Sequence, residues 1–198
     1  MALRHTDSFD DRTSNANVQR DYDVVFQGAS STVTISAGNG RNGTAALKLA
    51  TTLGSTLSAG YVQRRVPASG QTYIAHFSWK TNVLPTAAYG IHSIMDGGTI
   101  QFWLRLNTDG TISAMSGTTV LGSSTATIAT STEYYFSLKV VVDTTTGTVD
   151  LDVYNAGTPT TFLTLTGQNT CASAVEQWTS FRHGWNSGNT AGQTANTT

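Results

Sequence analysis

The acidic side chains of this sequence are too few and too scattered to form an evident catalytic pair. The two glutamates, Glu133 and Glu176, lie far apart, each near the start of a predicted strand. Hydrolysis of a glycosidic bond normally uses two carboxylates, about 5–5.5 Å or about 6.5–9.5 Å apart. Asp150 and Asp152 share one face of a predicted strand, but the third acid of an E-x-D-x-x-E run is missing. We therefore predict no catalytic residues and no enzymatic activity, and interpret this acidic face as solvated.

Potential metal ligands are equally sparse. Asp7, Asp10 and Asp11 form an oxygen-rich cluster of the kind that could hold Ca²⁺. We prefer to interpret the cluster as an N-terminal turn with solvated carboxylates. The histidines lack the H-x-x-x-H spacing of a zinc site; they are His5, His76, His92 and His183. The sequence thus predicts neither a metal centre nor a cofactor.

Two further motifs do not indicate a site. The segment 38–43 matches G-x-G-x-x-G literally, but no predicted helix follows it. A dinucleotide site needs a strand, the glycine-rich turn and then a helix, so a loop between strands is the better interpretation. Cys171 is the only cysteine, which excludes an intrachain disulfide and leaves a free thiol without a mechanistic role.

Aromatic side chains on the faces turned away from the core are the remaining candidates. If Phe102 and Leu104 point inward, Trp103 and Arg105 point outward, and Tyr154 likewise lies opposite a core-facing strand surface. An outward Trp can stack on a sugar ring while Arg binds sugar hydroxyls. Protein interfaces favour the same residue types. We predict a partner-binding face from these three residues, with glycan binding as the alternative.

The composition excludes several classes of function. Charged residues make up 12% of the 198 residues and the net charge is −1, without the basic stripe that nucleic acid binding requires. No apolar run approaches the roughly 20 residues of a membrane helix, and the N-terminus lacks the apolar core of a signal peptide. We expect no partnership with nucleic acid or membrane.

Period-2 alternation predicts the elements that position these residues. The clearest alternating segments are 73–80, 102–106, 134–142 and 149–154. Weaker strands are predicted at 32–36, 45–50, 61–66, 89–95, 118–121, 161–165 and 178–185. Hairpin turns are predicted at 107–110, 143–147 and 155–157, where Asp, Asn and Gly tolerate positive φ. Such a pattern is typical of an all-β sandwich or barrel.

The length suits one well-cored domain. We predict that residues 1–185 form this single domain. After Trp185, residues 186–198 contain no apolar side chain larger than Ala, which predicts a flexible or draped polar tail.

Three segments carry a family resemblance. They are Gly40–Leu49 with its A-L-x-L element, Phe102–Ile112, and the hairpin Glu133–Tyr154, which has a D-x-x-T-G turn between two strands. In this order they resemble the concanavalin-A-like and laminin-G-like jelly roll. The resemblance implies an antiparallel two-sheet β-sandwich covering about residues 8–185. The family usually ends in an apolar strand carrying paired acids, whereas this chain ends in Thr and Asn. Either the sequence is a fragment, or that strand position is left open as an edge to which another chain could add a strand.

The opening segment Leu3–Asp11 resembles the start of sandwich proteins encoded among bacteriophage structural genes. That resemblance implies a non-enzymatic virion component, made in the host cytoplasm without a signal peptide and located on a capsid or tail. Its partners would be other virion proteins and further copies of itself, as a homo-oligomer or a repeated array. The alternative is a carbohydrate-binding module that recognises glycans on a host surface.

Overall fold

The computed structural model describes residues 22–28, 31–36, 46–51, 60–85, 87–155, 158–186 and 196–197, and within them every regular element is a strand. In chain order these are β1 Val24–Gln27, β2 Ser31–Ser36, β3 Ala46–Thr51, β4 Gly60–Gly70, β5 Thr72–Lys80, β6 Tyr89–Asp96, β7 Thr99–Leu106, β8 Thr111–Ser116, β9 Thr119–Thr127, β10 Glu133–Val141, β11 Gly147–Asn155, β12 Thr158–Gln168, β13 Trp178–Asn186 and β14 Asn196–Thr197. None of the described residues forms a helix long and apolar enough to cross a membrane.

The alternation in the sequence is confirmed as alternate burial in the strands. Phe136, Leu138 and Val140 of β10 are buried, and the residues between them are exposed or half-buried. The neighbouring strand β11 repeats this pattern with Val149 and Leu151. Alternate side chains of a strand point to opposite faces of its sheet, so each of these strands contributes one face to the core.

The strands form two main antiparallel sheets. Seven strands pair in the order β1-β4-β13-β6-β7-β8-β9, and four pair in the order β12-β11-β10-β5. A third, three-stranded sheet has the order β14-β3-β2, and β14 contacts the edge strand β5. Asn196–Thr197 of the predicted tail thus pairs with β3, at Ala50 and Leu49.

One apolar core joins the sheets. Phe102 and Leu104 of the seven-stranded sheet face Phe136, Leu138 and other side chains of the four-stranded sheet, and all four named residues are 0% exposed. The two main sheets therefore form a β-sandwich, as the sequence predicts. Interdigitated side chains from two inner faces are the usual core of this architecture.

The predicted hairpin turns at 107–110 and 143–147 are confirmed. Gly110 has φ 87° and donates its N–H to the Asn107 carbonyl between β7 and β8. Between β10 and β11, Asp143 Oδ1 accepts the N–H groups of Thr145 at 2.7 Å and Thr146 at 2.6 Å. Such local carboxylate–backbone bonds explain why Asp is favoured in turns. The third turn includes residues 156–157, which lie outside the described residues.

A glycine fixes the contact between β4 and β13. Gly184 has φ +116°, and a Cβ there would lie 2.4 Å from the Gly60 carbonyl oxygen and 2.9 Å from Tyr61 Cα. Only glycine combines this backbone conformation with such a close approach. Gly184 therefore sets the position of Tyr61 relative to the rest of β13.

We expect Gly184→Ala to destabilise the domain by about 1–3 kcal/mol through backbone strain, with a further cost from the clash. Gly97 also has positive φ, at +54°, but its position has no atom within 4 Å, so Gly97→Ala should cost only about 1 kcal/mol. Urea unfolding of both variants measures the difference. Equal costs would show that close approach at Gly184 does not matter.

Candidate functional site

Trp103 and Arg105 lie on the face of the seven-stranded sheet that points away from the core. Their neighbours on β7, Phe102 and Leu104, are fully buried in the core, whereas Trp103 and Arg105 are half-buried. The predicted outward orientation of both side chains is therefore confirmed. The strand positions them because its alternation leaves the even-numbered residues in the core.

Strand pairing extends this face into a row of polar and aromatic side chains. Gln63 of β4 pairs with Arg182 of β13, Arg182 pairs with Ser93 of β6, and Ser93 pairs with Trp103 of β7. Paired residues point to the same side of a sheet. Four adjacent strands thus place four side chains in one line, across three strand spacings of about 4.8 Å each.

Arg182 is held rigidly in this row. Its Nε donates to Gln63 Oε1 at 2.8 Å, and Gln63 Nε2 in turn donates to Ser180 Oγ at 3.2 Å. The guanidinium carbon lies 4.3 Å above the centre of the Tyr61 ring, a cation–π geometry. Burial lowers the pKa of Arg182, while Tyr61 acts in the opposite direction. The group remains a cation at neutral pH and is half-buried.

Arg105 is anchored in the same manner. Its Nε donates to Asn107 Oδ1 at 3.0 Å. Asn107 Nδ2 donates to Ser113 Oγ at 2.7 Å and to Thr111 Oγ1 at 2.9 Å. Each arginine is thus oriented by an amide oxygen, and each amide is oriented by a hydroxyl group.

Trp103 offers its ring rather than its N–H group. Its Nε1 already donates to the Gly117 carbonyl at 2.8 Å, in the turn between β8 and β9. Between Trp103 and Arg182, Ser93 is 0% exposed, and its Oγ finds no hydrogen-bond partner among the described residues. Buried hydroxyls are usually hydrogen-bonded, so an unsatisfied one marks a place where polar contacts are incomplete.

We call this surface the arginine face; it comprises Tyr61, Gln63, Ser93, Trp103, Arg105 and Arg182. The strands of its sheet contain four arginines, Arg64, Arg65, Arg105 and Arg182, but a single acid, Asp96, at the end of β6. In the described part of the chain, neither Arg105 nor Arg182 forms an ion pair. Among the described residues, the arginine face is therefore a positively charged surface whose arginines have no acidic partner.

Tyr154 belongs to a different surface. It lies on β11 of the four-stranded sheet and packs edge-on against Tyr135, with ring centres 5.9 Å apart. Tyr135 also stacks on His76, again at 5.9 Å. Because the core separates the two sheets, Tyr154 does not join Trp103 and Arg105 in one site. The prediction treated the three residues as one face, because a sequence does not show which sheet a strand enters.

The carboxylates of the described residues do not converge. Glu176 accepts hydrogen bonds from Thr144, and Asp152 accepts one from Thr161. Asp150 lies opposite Lys139 in register, and Glu133 lies opposite Lys80. Within the described ranges, no group of three His, Cys, Asp or Glu side chains could hold a metal ion. The calcium candidates Asp7, Asp10 and Asp11 lie outside the described residues.

A polar cluster lies inside the core. Tyr73 Oη is 2.8 Å from His92 Nε2, and His92 Nδ1 is 3.2 Å from His183 Nδ1. Burial lowers the pKa of His92 well below its usual range, and His183 lowers it further. Burial also raises the pKa of Tyr73. Local sequence patterns do not predict this cluster, because Tyr73 and His92 lie on strands of different sheets, β5 and β6, and His183 comes from the distant strand β13.

Sequence reasoning also missed Gln63 and Arg182. The alternation of Tyr61, Val62 and Gln63 does predict that Gln63 faces away from the core, and Arg182 between Phe181 and His183 gives the same signal. Their meeting depends on the pairing of β4 with β13, which joins residues 119 positions apart. Local patterns cannot predict that pairing.

No family model and no curated protein sequence matches the chain. Solved structures do share its fold. A sialidase superposes with a TM-score of 0.67 at 14% identity, covering 98% of this chain and 18% of that chain. The PL-14 alginate lyase from Aplysia kurodai gives a TM-score of 0.59 at 13% identity, covering 83% of both chains. The GH131 β-glucanase catalytic domain from Podospora anserina gives 0.55 at 15% identity, covering 100% of this chain and 93% of that chain.

At these identities the similarity concerns the fold. This chain spans 18% of the length of the sialidase it resembles, so the activity of that whole protein does not transfer with the fold. The architecture is an all-β jelly-roll sandwich of the concanavalin-A-like kind, the fold class predicted from the sequence.

Proposed function

We propose that this domain binds carbohydrate through the arginine face. The observation that carries the proposal is the row of Gln63, Arg182, Ser93 and Trp103 across four adjacent strands. In this row the half-buried Trp103 ring can pack on the apolar face of a sugar and the half-buried Arg182 guanidinium group can bond its hydroxyls, above the buried Gln63 and Ser93. A row of such groups suits an extended chain of sugars better than a single compact ligand.

The structural comparisons support this choice. The neighbours named above are a sialidase, an alginate lyase and a β-glucanase domain, all of which act on carbohydrates. Their similarity favours the carbohydrate alternative over the virion role that the sequence led us to prefer. The expected location on a phage particle, and the oligomeric state that goes with it, stay predictions from the opening residues.

We propose recognition rather than catalysis. The acids of the four-stranded sheet lie on the other side of the core, and on the strands that form the arginine face Asp96 is the single acid. General acid–base hydrolysis of a glycoside uses two carboxylates flanking one bond. The described residues of this face offer no such pair.

We expect Trp103→Ala to weaken polysaccharide binding about tenfold, because one stacking surface is worth on the order of 1–2 kcal/mol. Affinity electrophoresis through gels containing single soluble polysaccharides provides the measurement. Lys139→Ala, on the exposed surface of the four-stranded sheet, is the control and should migrate like the wild type. Light scattering on the same samples records any change in oligomeric state.

Two outcomes would contradict the proposal. Wild-type protein that no polysaccharide retards lacks the binding activity altogether. Loss of an oligomer on Trp103→Ala, with retardation unchanged, would make Trp103 a protein interface residue. Mass spectrometry of the polysaccharides after incubation tests the choice against catalysis, since new chain ends would reveal cleavage.

A further inference from the structure

We propose that the ligand of the arginine face is an acidic polysaccharide, with Arg182 and Arg105 each binding one carboxylate group of the sugar chain. This inference rests on the proposed carbohydrate function and specifies its ligand class. Uronic acids and sialic acids both present such carboxylates.

Each of the two guanidinium groups is held through its own Nε atom, and its two terminal nitrogens are left for a ligand. Arg182 uses Nε to reach Gln63, and Arg105 uses Nε to reach Asn107. Among the described residues, the terminal nitrogens of both side chains have no hydrogen-bond partner. Two terminal N–H groups in one plane match the two oxygens of a carboxylate, and such paired bonds to an ionised group are the stronger kind.

The supports of these arginines restrict their motion. Gln63 and Ser180 are both buried, and they position Arg182 from below. Asn107 is tied to Ser113, whose hydroxyl lies 2.8 Å from that of Ser123. Because these contacts already fix the side chains, an anion that binds them loses little conformational entropy in the protein.

The two arginines suit two separate acidic groups. They lie on β13 and β7, with β6 between them, which corresponds to about 10 Å across the sheet. Arg105 is also displaced from the Arg182 row by two residues, or about 7 Å along the strand. A single carboxylate does not span such a distance, whereas successive acidic sugars of an extended polymer do.

Among the described residues, neither Arg105 nor Arg182 has an acidic side chain as an ion-pair partner, and the strands of the arginine face carry a single acid, Asp96. Arg182 is half-buried, and this partial burial lowers its pKa, so its charge loses part of its solvation at this position. A ligand carboxylate would offset this loss, and a neutral sugar would not. We therefore expect the arginine face to bind acidic sugars more tightly than neutral ones.

The decisive probe is a matched pair of polymers. Polygalacturonate and its fully methyl-esterified form share one backbone and differ in the carboxylate charge. We expect the wild-type protein to bind polygalacturonate at least about tenfold more tightly, from charge-assisted hydrogen bonds. Polysialic acid separates sialic from uronic carboxylates, and dextran sulfate with dextran separates carboxylate recognition from a general attraction to anions.

Two isosteric variants test whether the guanidinium groups bind the ligand, without replacing either arginine. Gln63→Glu and Asn107→Asp each put a carboxylate against one guanidinium group, which then has an internal partner. Each should lower polygalacturonate affinity about tenfold and leave binding of the methyl ester unchanged. Gln168→Glu on β12 makes the same chemical change away from the face and should have no effect.

The outcomes separate this inference from the function on which it rests. Equal binding of polygalacturonate and its ester, tighter binding of dextran sulfate, or unchanged affinity of both isosteric variants would overturn the acidic-ligand assignment and leave carbohydrate binding intact. Failure to bind any polymer would remove both proposals. Arg182→Lys adds a geometric test, because it keeps the charge but loses the planar pair of donors.

Discussion

Acidification below about pH 6.5 is expected to destabilise the domain, by up to about 1.4 kcal/mol per pH unit, as the unfolded chain takes up a proton that His92 resists in the folded state. His92 is fully buried, and burial together with His183 lowers its pKa well below the usual 6.5. Between the two pKa values the unfolded state binds more protons. Stability therefore falls as the pH falls through this window.

Urea unfolding between pH 7.5 and 4.5 measures the effect. Asp109 and Asp143 also have lowered pKa values, from hydrogen bonds in their turns, but their stabilisation is lost only as the pH falls below about 3.8. The two processes therefore separate on the pH axis. His92→Gln should flatten the slope between pH 6.5 and 4.5, whereas His76→Gln, at an exposed position, should retain it. An unchanged slope in His92→Gln would assign the acid sensitivity to other groups.

Phe136→Ala should lower the free energy of unfolding by about 3–5 kcal/mol. Phe136 is 0% exposed and stacks on Phe77 with ring centres 5.0 Å apart. Truncation leaves a cavity between the sheets and removes this ring contact. Since the free energy of unfolding of a small domain is only about 5–15 kcal/mol, this substitution removes a large part of it.

Ile74→Ala on β5 provides the matched control. Ile74 is 43% exposed on the outer surface of the same sheet, so its truncation should cost about 0.5 kcal/mol or less. Chemical unfolding of both variants with a common slope gives the comparison. If the two variants lost similar stability, the core would not lie where the structure places it.

Local patterns predicted much of the fold. The alternation over 134–142 and 149–154 predicted β10 and β11, and the Asp and Gly residues of the intervening turn predicted their hairpin. Burial of one strand face depends on neighbouring residues in sequence, which is why these predictions hold. The short edge strand β1, Val24–Gln27, was missed because its four residues do not alternate.

The candidate site was predictable only in part. The orientation of Trp103 and Arg105 followed from their position between core residues, but the residues beside them did not. Gln63 and Arg182 reach the site through pairing between distant strands, and Tyr154 leaves it because β11 belongs to the other sheet. Sheet membership is a tertiary property, set by how all strands bury their apolar faces together.

The unequal distribution of charge between the two sheets has a consequence for association rates. The net charge of −1 hides a separation, with the arginines on one sheet and Glu133, Asp150 and Asp152 on the other, beside Lys80 and Lys139. The charges of the described strands therefore form an electric dipole across the sandwich. In the field of an anionic polymer, this dipole orients the domain before contact so that the arginines point toward the polymer. This orientation increases the association rate at low ionic strength. At physiological salt concentration the Debye length is about 8 Å, so the polymer orients the domain only within about that distance.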